Sequence, residues 1–508
     1  MEQKETKQGI SRRSFLGTLA VGGAIAAAVG VAGCTPKNES SQTVSTKTRE
    51  WSQEVELLVC GCGGAGMSCV LEAFDNGVAA KDILVIEKLS VVGGTTSTSQ
   101  GMIGGFDTEL QKAQSIKLTF EEMYRNLMHN ALYRLDPALT KITIERCGET
   151  VDWLKNRVKV AFMDDVYVGY GPLKMMHIVI DGGGGLASAL TKRLDEIGVN
   201  VETETKLVEI LLDEDGRAEG VVAQQGSKEL LIKAKAIVVA TGGYAYNPEL
   251  TERLDPEKAG TFGIGFVGSE GDGIVAASNA GAALSHTNDM MCVLKDYVIM
   301  TEHKGTSASA NVNGFTALAN MILVGAAGKR FCNEDLKGFL TQSLNSPVFD
   351  QMHRDEKGYV WMISDQATVD ATNGVTFRGE GLSYIKGSTY AEFARGLGVD
   401  AAALEATIEA FNEAVEEGVD REFGRFPKRR LEPPYLALPV VPCEIITYGG
   451  IARNAQGEVI KADGEVIPGL YTAGETSCNS AYMGFTISNA ITWGRIAGKS
   501  ATSYLSNL

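Results

Sequence analysis

A chain of 508 residues is too long for one ordinary hydrophobic core and points to two or three domains. Its 63 acidic against 47 basic residues leave a net charge of −16, which argues against a nucleic-acid partner, because phosphate contacts need basic patches. The nine cysteines form no CxxC pair and no haem or cluster run, and the five histidines lack ligand spacing, so no metal is expected.

The first residues read as an address. Ser11-Arg12-Arg13-Ser14-Phe15-Leu16 precedes a small-residue apolar run, 17–33, and matches a twin-arginine export signal. The run is too short and too rich in Ala and Gly for a good spanning helix. Val31-Ala32-Gly33-Cys34 has the form of a lipoprotein cleavage box, with a plain cleavage site as the alternative. Residues 1–34 are therefore expected to be a signal, and 35–52 a flexible tether. The expected location is outside the membrane, at the cell surface or on the periplasmic side, held by nothing but a lipid on Cys34.

Residues 54–87 carry the first chemistry. Val55–Val59 is an apolar strand, Gly61-Cys62-Gly63-Gly64-Ala65-Gly66 a tight turn, and Ile83–Ile86 a second strand ending on Glu87. Gly61 permits the turn, Gly63 admits a pyrophosphate close to the backbone, and Gly66 lets the helix pack near the sheet. The helix N-terminus faces the phosphates, and Glu87 falls at the spacing of a ribose-binding acid. The following segment, 91–105, contains Gly94, Thr95, Thr96, Gly101 and Gly104 and can wrap the far side of an extended cofactor.

Helices are predicted at 120–128, 137–157 and 185–198, and a hairpin at 207–224. Ala236–Ala240 is a buried strand that ends in Thr241-Gly242-Gly243 and should return beside the first strand. Asp272, ahead of a small-residue helix at 274–280, is expected to cap that helix or meet a cofactor hydroxyl. From His286 to Glu432 the strand pattern changes and a long helix appears at 401–416, which reads as an inserted domain. Pro433-Pro434 marks the return, Gly469–Ala473 is a strand ending in Gly474-Glu475, and 487–504 is a closing apolar helix.

Taken in order, Gly61–Gly66, Glu87-Lys88, Gly93-Gly94-Thr95-Thr96, Ala240–Gly243, Gly271-Asp272-Gly273, Gly328-Lys329-Arg330-Phe331, Pro433-Pro434-Tyr435, Gly449-Gly450 and Gly469–Glu475 resemble the FAD-dependent family of soluble fumarate reductases and 3-ketosteroid dehydrogenases. The resemblance implies an α/β fold: a Rossmann-like FAD-binding domain (53–285 and 433–508) with an inserted α+β capping domain (286–432). It implies that Glu87 binds the adenosine ribose and that Lys88 lies beside it. Thr95 and Thr96 follow the pyrophosphate and flavin, Glu475 meets the ribityl chain, and Thr486 and Ile487 present a helix N-terminus to the flavin.

The departures concern the substrate. The family's proton-donor arginine falls at Gly338, beside Lys337; Ile446 replaces a histidine; and the carboxylate-clamping arginine falls near Ala481, beside Tyr482. A dicarboxylate without paired cations would carry a heavy desolvation cost. The residues expected near the flavin are Tyr448, Tyr482, Met483 and Phe485. Tyr482 and Tyr448 are acid–base candidates, with packing on the flavin as their alternative role, and Lys337 and His303 complete the set. The implied function is reduction of an activated C=C bond in an enone, steroid-like ring or aromatic acrylate, with electrons from a membrane or haem partner. The alternatives are a 3-ketosteroid-type dehydrogenase and a non-catalytic electron relay.

Overall fold

A computed structural model describes residues 50–168, 172–302, 320–335, 342–371, 384–479 and 484–508. The chain enters through β1 (Gln53–Cys60) and the glycine turn into α1 (Gly64–Asp75), then β2 (Ile83–Ile86). The last four residues of β1 and all of β2 are fully buried, as strands in a parallel sheet covered on both faces must be. β1 pairs in parallel with β2 on one edge and with β6 (Lys228–Val239) on the other, so that Cys60 stands opposite both Ile86 and Val239. The carboxyl ends of three strands thus finish at one level, where open α/β sheets bind ligands.

The sheet continues through β3 (Asn200–Glu202) beyond β2. On its other side, β13 (Val466–Thr472) pairs with β6, and β12 (Glu458–Ile460) with β13. The predicted hairpin is β4 (Thr205–Leu212) and β5 (Ala218–Gln225), and it attaches to β6. α2 (Gly94–Thr98), α3 (Pro137–Trp153), α4 (Gly182–Ile197) and α5 (Asp272–Asn279) intervene. Asp136 caps α3 by accepting from Leu139 N at 2.8 Å.

A second sheet is built on β11 (Tyr435–Thr447), which is buried from Tyr435 through Glu444. Its antiparallel partners are β7 (Met290–Asp296), β9 (Val360–Asp365) and β10 (Ile385–Gly387), and β8 (Ile322–Val324) adds to β9. Phe262–Gly263 pairs with it in parallel. α6 (Ala401–Glu417) covers this sheet with Leu404, Ile408 and Phe411.

The second sheet draws strands from both sides of 285/286 and 432/433. Phe262–Gly263 and β11 belong to the second sheet, and Met290, Cys292 and Phe349 pack in the same core as Leu58 and Ile237. The reason is physical: a thirteen-residue apolar strand needs partners on both edges, and β11 finds them in the segment before the proline pair. Residues 51–508 form one compact unit.

The closing helix α7 (Phe485–Leu505) lies on α1. A Cβ on Gly494 would stand 2.3 Å from Ala65 O, and one on Gly498 2.4 Å from Cys69 O, so only glycine permits this approach. The eight described cysteines are all buried and none is in a disulfide.

Candidate functional site

At the carboxyl ends of β1, β2 and β6 lies a cleft of about 1040 Å³, a volume that includes the solvent at its mouth. Gly61 starts the turn at φ +106°, and a Cβ there would sit 2.3 Å from Ala240 O. A Cβ on Gly66 would sit 1.9 Å from Gly61 O, so Gly66 serves the packing of helix on turn. Gly63 differs, because the nearest atom to its Cβ position is 3.9 Å away. The space above Gly63 is left open on the cleft side. No side chain caps α1 at Gly63, and Gly64 N donates to Thr96 Oγ1 at 3.2 Å.

Glu87 extends from the end of β2 and is oriented by two amides: Oε2 accepts from Cys62 N at 2.9 Å and Oε1 from Leu89 N at 3.0 Å. Lys88 pairs with Asp272 (2.7 Å) and Glu270 (2.8 Å), and Lys206 reaches the other oxygen of Asp272 at 2.8 Å. Asp272 therefore does not cap its helix. Gly271, at φ +82°, holds the cap position of α5.

At the other end, Gly474, Glu475, Thr486, Ile487 and Ala490 form the wall, with Ile446 from β11. Glu475 is half-buried between the two sheets. Burial pushes its carboxyl up to about 7, while hydrogen bonds from Thr447 oppose the shift. The wall at this end is the first turn of α7, whose free N–H groups and dipole favour negative charge.

Of the anticipated cofactor residues, Gly61, Gly63, Gly64, Ala65, Glu87, Lys88, Gly94, Thr95, Thr96, Thr241, Gly242, Asp272, Gly474, Glu475, Thr486 and Ile487 line the cleft. Gly66, Gly101, Gly104 and Gly243 do not. Gly101 packs on Gly182, Gly104 on the Phe485 ring, and Gly243 on Thr447 and Glu475. Ser99, from the segment expected to wrap the cofactor, also lines it, as do Thr205, Phe266, Gly268 and Ser269, which were not anticipated. Phe266–Ser269 adjoins the Gly271–Gly273 motif, and that adjacency was the available signal.

Of the residues expected near the flavin, Tyr448 and Phe485 are among the described residues. Tyr448 is buried in a side cluster with Met128, Ala131 and Leu135. Phe485 is buried against Met123, Leu127, Met175 and Met176. Neither lines the cleft. His303, Lys337, Tyr482 and Met483 lie outside the described residues. Among the described residues no group of His, Cys, Asp or Glu could hold a metal ion.

Residues 56–486 match the family described as FAD binding domain. The chain belongs to that family. This flavoprotein is an FAD-dependent oxidoreductase. It is 30% identical over 460 residues to the fumarate reductase (cytochrome) of Shewanella frigidimarina, covering 89% of this chain and 77% of that one. It is 28% identical to the urocanate reductase of Eggerthella lenta, covering 89% and 75%. The solved 3-ketosteroid-Δ4-(5α)-dehydrogenase from Rhodococcus jostii RHA1, in complex with 4-androstene-3,17-dione, superposes with a TM-score of 0.70 at 25% identity, covering 90% and 99%.

The cleft fits FAD on its own chemistry. Thr241 Oγ1 is buried at its wall without a hydrogen-bond partner. The glycine turn leaves room over Gly63 and an uncapped helix start behind it. Thr241, the Gly61–Ala65 turn and Glu87 would hold the dinucleotide, and Thr486 and Ile487 would face its redox-active end.

Proposed function

We propose that this flavoprotein reduces an activated C=C bond of a small, weakly charged organic acceptor: an enone, a steroid-like ring or an aromatic acrylate. The observation that carries this reading is the charge of the cleft. Among the described lining residues the sole cation is Lys88, which Asp272 and Glu270 already neutralise. The wall at α7 is Ile446, Thr486, Ile487 and Ala490. A dicarboxylate held against the redox-active end of FAD would lose its hydration beside Ile446, Ile487 and Ala490.

When bound, FAD supplies the hydride for such a reduction. The protein's part is orientation and electrostatics. Ile446, Ile487 and Phe266 exclude water, and the N-terminus of α7 favours negative charge beside Thr486 and Ile487. The named activities of the fumarate and urocanate reductases support the reaction class. Electrons come in this reading from a separate membrane or haem protein. Export through Ser11–Leu16 and a lipid on Cys34 belong to the same proposal, although that segment lies outside the described residues. N-terminal mass spectrometry of the membrane fraction should find lipidated Cys34, and an intact Met1 would refute it.

The deciding experiment is anaerobic reoxidation of the dithionite-reduced protein by enones, cinnamate-type acrylates, urocanate and fumarate. Enones or aromatic acrylates should reoxidise it fastest. Fumarate as the best acceptor, or no acceptor faster than buffer, would reject the proposal. A second reading, dehydrogenation, draws on the superposition along nearly the whole Rhodococcus dehydrogenase. Formation of a C=C bond from a saturated ketosteroid with a quinone acceptor, at a rate above the reverse reaction, would favour it.

A further inference from the structure

Behind the cleft wall lies a cation with no counter-ion among the described residues. Arg453 is 3% exposed. Its guanidinium stacks on Trp493 of α7 at 3.8 Å from the ring centre. Nη1 donates to Ser477 Oγ, while Nε and Nη2 have no hydrogen-bond partner. Other buried or half-buried arginines differ: Arg330 and Arg425 pair with Glu334, and Arg495 pairs with Glu72 and Glu149. No carboxylate stands within ion-pair reach of Arg453 among the described residues. Burial pushes it down to about 10, so it stays charged at neutral pH.

An unneutralised buried charge costs several kcal/mol. A fold that keeps one gains if a negative charge arrives nearby. Arg453 stands two hydrogen bonds from the cleft: Ser477 Oγ donates to Gly474 O at 2.7 Å, and Gly474 and Glu475 line the wall. The stack on Trp493 ties the same cation to the helix whose first turn forms that wall. Uptake of two electrons and one proton leaves the flavin ring with one negative charge.

We propose that Arg453 is a redox-tuning cation: its buried, unpaired charge stabilises the anionic, two-electron-reduced form of FAD and raises the reduction potential. It acts through the Ser477–Gly474 turn and touches neither substrate nor reacting atoms. The inference rests on FAD and is independent of which acceptor the protein reduces.

The test is the midpoint potential of the FAD-loaded protein, measured by dye-coupled reductive titration with dithionite. Arg453→Gln and Arg453→Met should each lower the reduced-to-oxidised ratio at fixed potential at least tenfold, about 30 mV for a two-electron couple. Arg453→Lys should recover most of that loss. An unchanged potential in a loaded neutral variant would overturn the proposal. So would a lysine variant as low as the neutral ones, or a loss of FAD affinity with the potential preserved.

Discussion

Glu475 accepts two hydrogen bonds from one residue, Thr447: the backbone amide at 2.9 Å and the hydroxyl at 3.2 Å. Thr447 ends the central strand of the second sheet, and Glu475 follows the last inner strand of the first. This contact joins the sheets at the wall of the FAD cleft. Glu475→Ala leaves a buried amide unsatisfied and should cost about 1–3 kcal/mol. Glu475→Gln keeps an acceptor and should cost less. Urea unfolding of the apo-protein separates them; equal losses would show that the amide is not what Glu475 serves.

The glycines of the turn divide by role. Gly66→Ala drives a methyl group into Gly61 O and should cost about 3 kcal/mol, the upper range for overpacking. Gly63→Ala meets nothing closer than 3.9 Å and should change apo stability by less than about 1 kcal/mol. It should nevertheless weaken FAD binding at least tenfold, about 1.4 kcal/mol. Fluorescence titration with FAD beside thermal unfolding checks both halves; a Gly63→Ala protein with native affinity contradicts the assignment.

Glu444 is buried beneath the second sheet, with Thr251 Oγ1 donating at 2.8 Å and Thr261 also donating. Burial pushes its carboxyl up to about 7, from an ordinary value of 4.5. The folded state therefore binds this proton more tightly than the unfolded state. Its contribution is complete below pH 4.5 and disappears as pH rises through 7, about 3 kcal/mol in all. Glu475 acts in the same direction. The apo-protein's melting temperature should fall across that window, and Glu444→Gln should flatten the fall. Parallel curves would contradict it.

Arg425 is fully buried, with Nη1 donating to Met321 O at 2.6 Å and pairing with Glu334 at 3.0 Å. Arg425→Met leaves Glu334 with Arg330 alone and should destabilise the protein by about 3–5 kcal/mol. Limited proteolysis and urea midpoints would register it; a change below about 1 kcal/mol would mean the pair is dispensable.

The strand–turn–helix at 53–75 and the turn at 474 were legible because their signals are local: glycines at fixed offsets after apolar runs. The wall residues Thr205, Phe266 and Ser269 were less so: Thr205 opens β4, and Phe266 and Ser269 lie in the loop ahead of α5, so their place at the cleft is set by tertiary packing. Asp272 looked like a cap because its partner Lys206 lies 66 positions away in sequence. Phe485 opens α7, and the phase of that helix turns its ring onto Met175 and Met176, a contact that no local pattern signals. Arg453 carried no motif at all. Its meaning comes from Trp493, forty residues on.

β11 also governs how this protein could be cut or recombined. Excising 286–432 as an exchangeable module would remove β7, β9 and β10 and leave a thirteen-residue apolar ribbon with open backbone edges, a template for aggregation. A graft that respects the architecture has to carry Tyr435–Thr447 with the transplanted segment and make its seam between Thr447 and Gly450. The Thr447–Glu475 contact then becomes the suture on which the chimera's cleft depends.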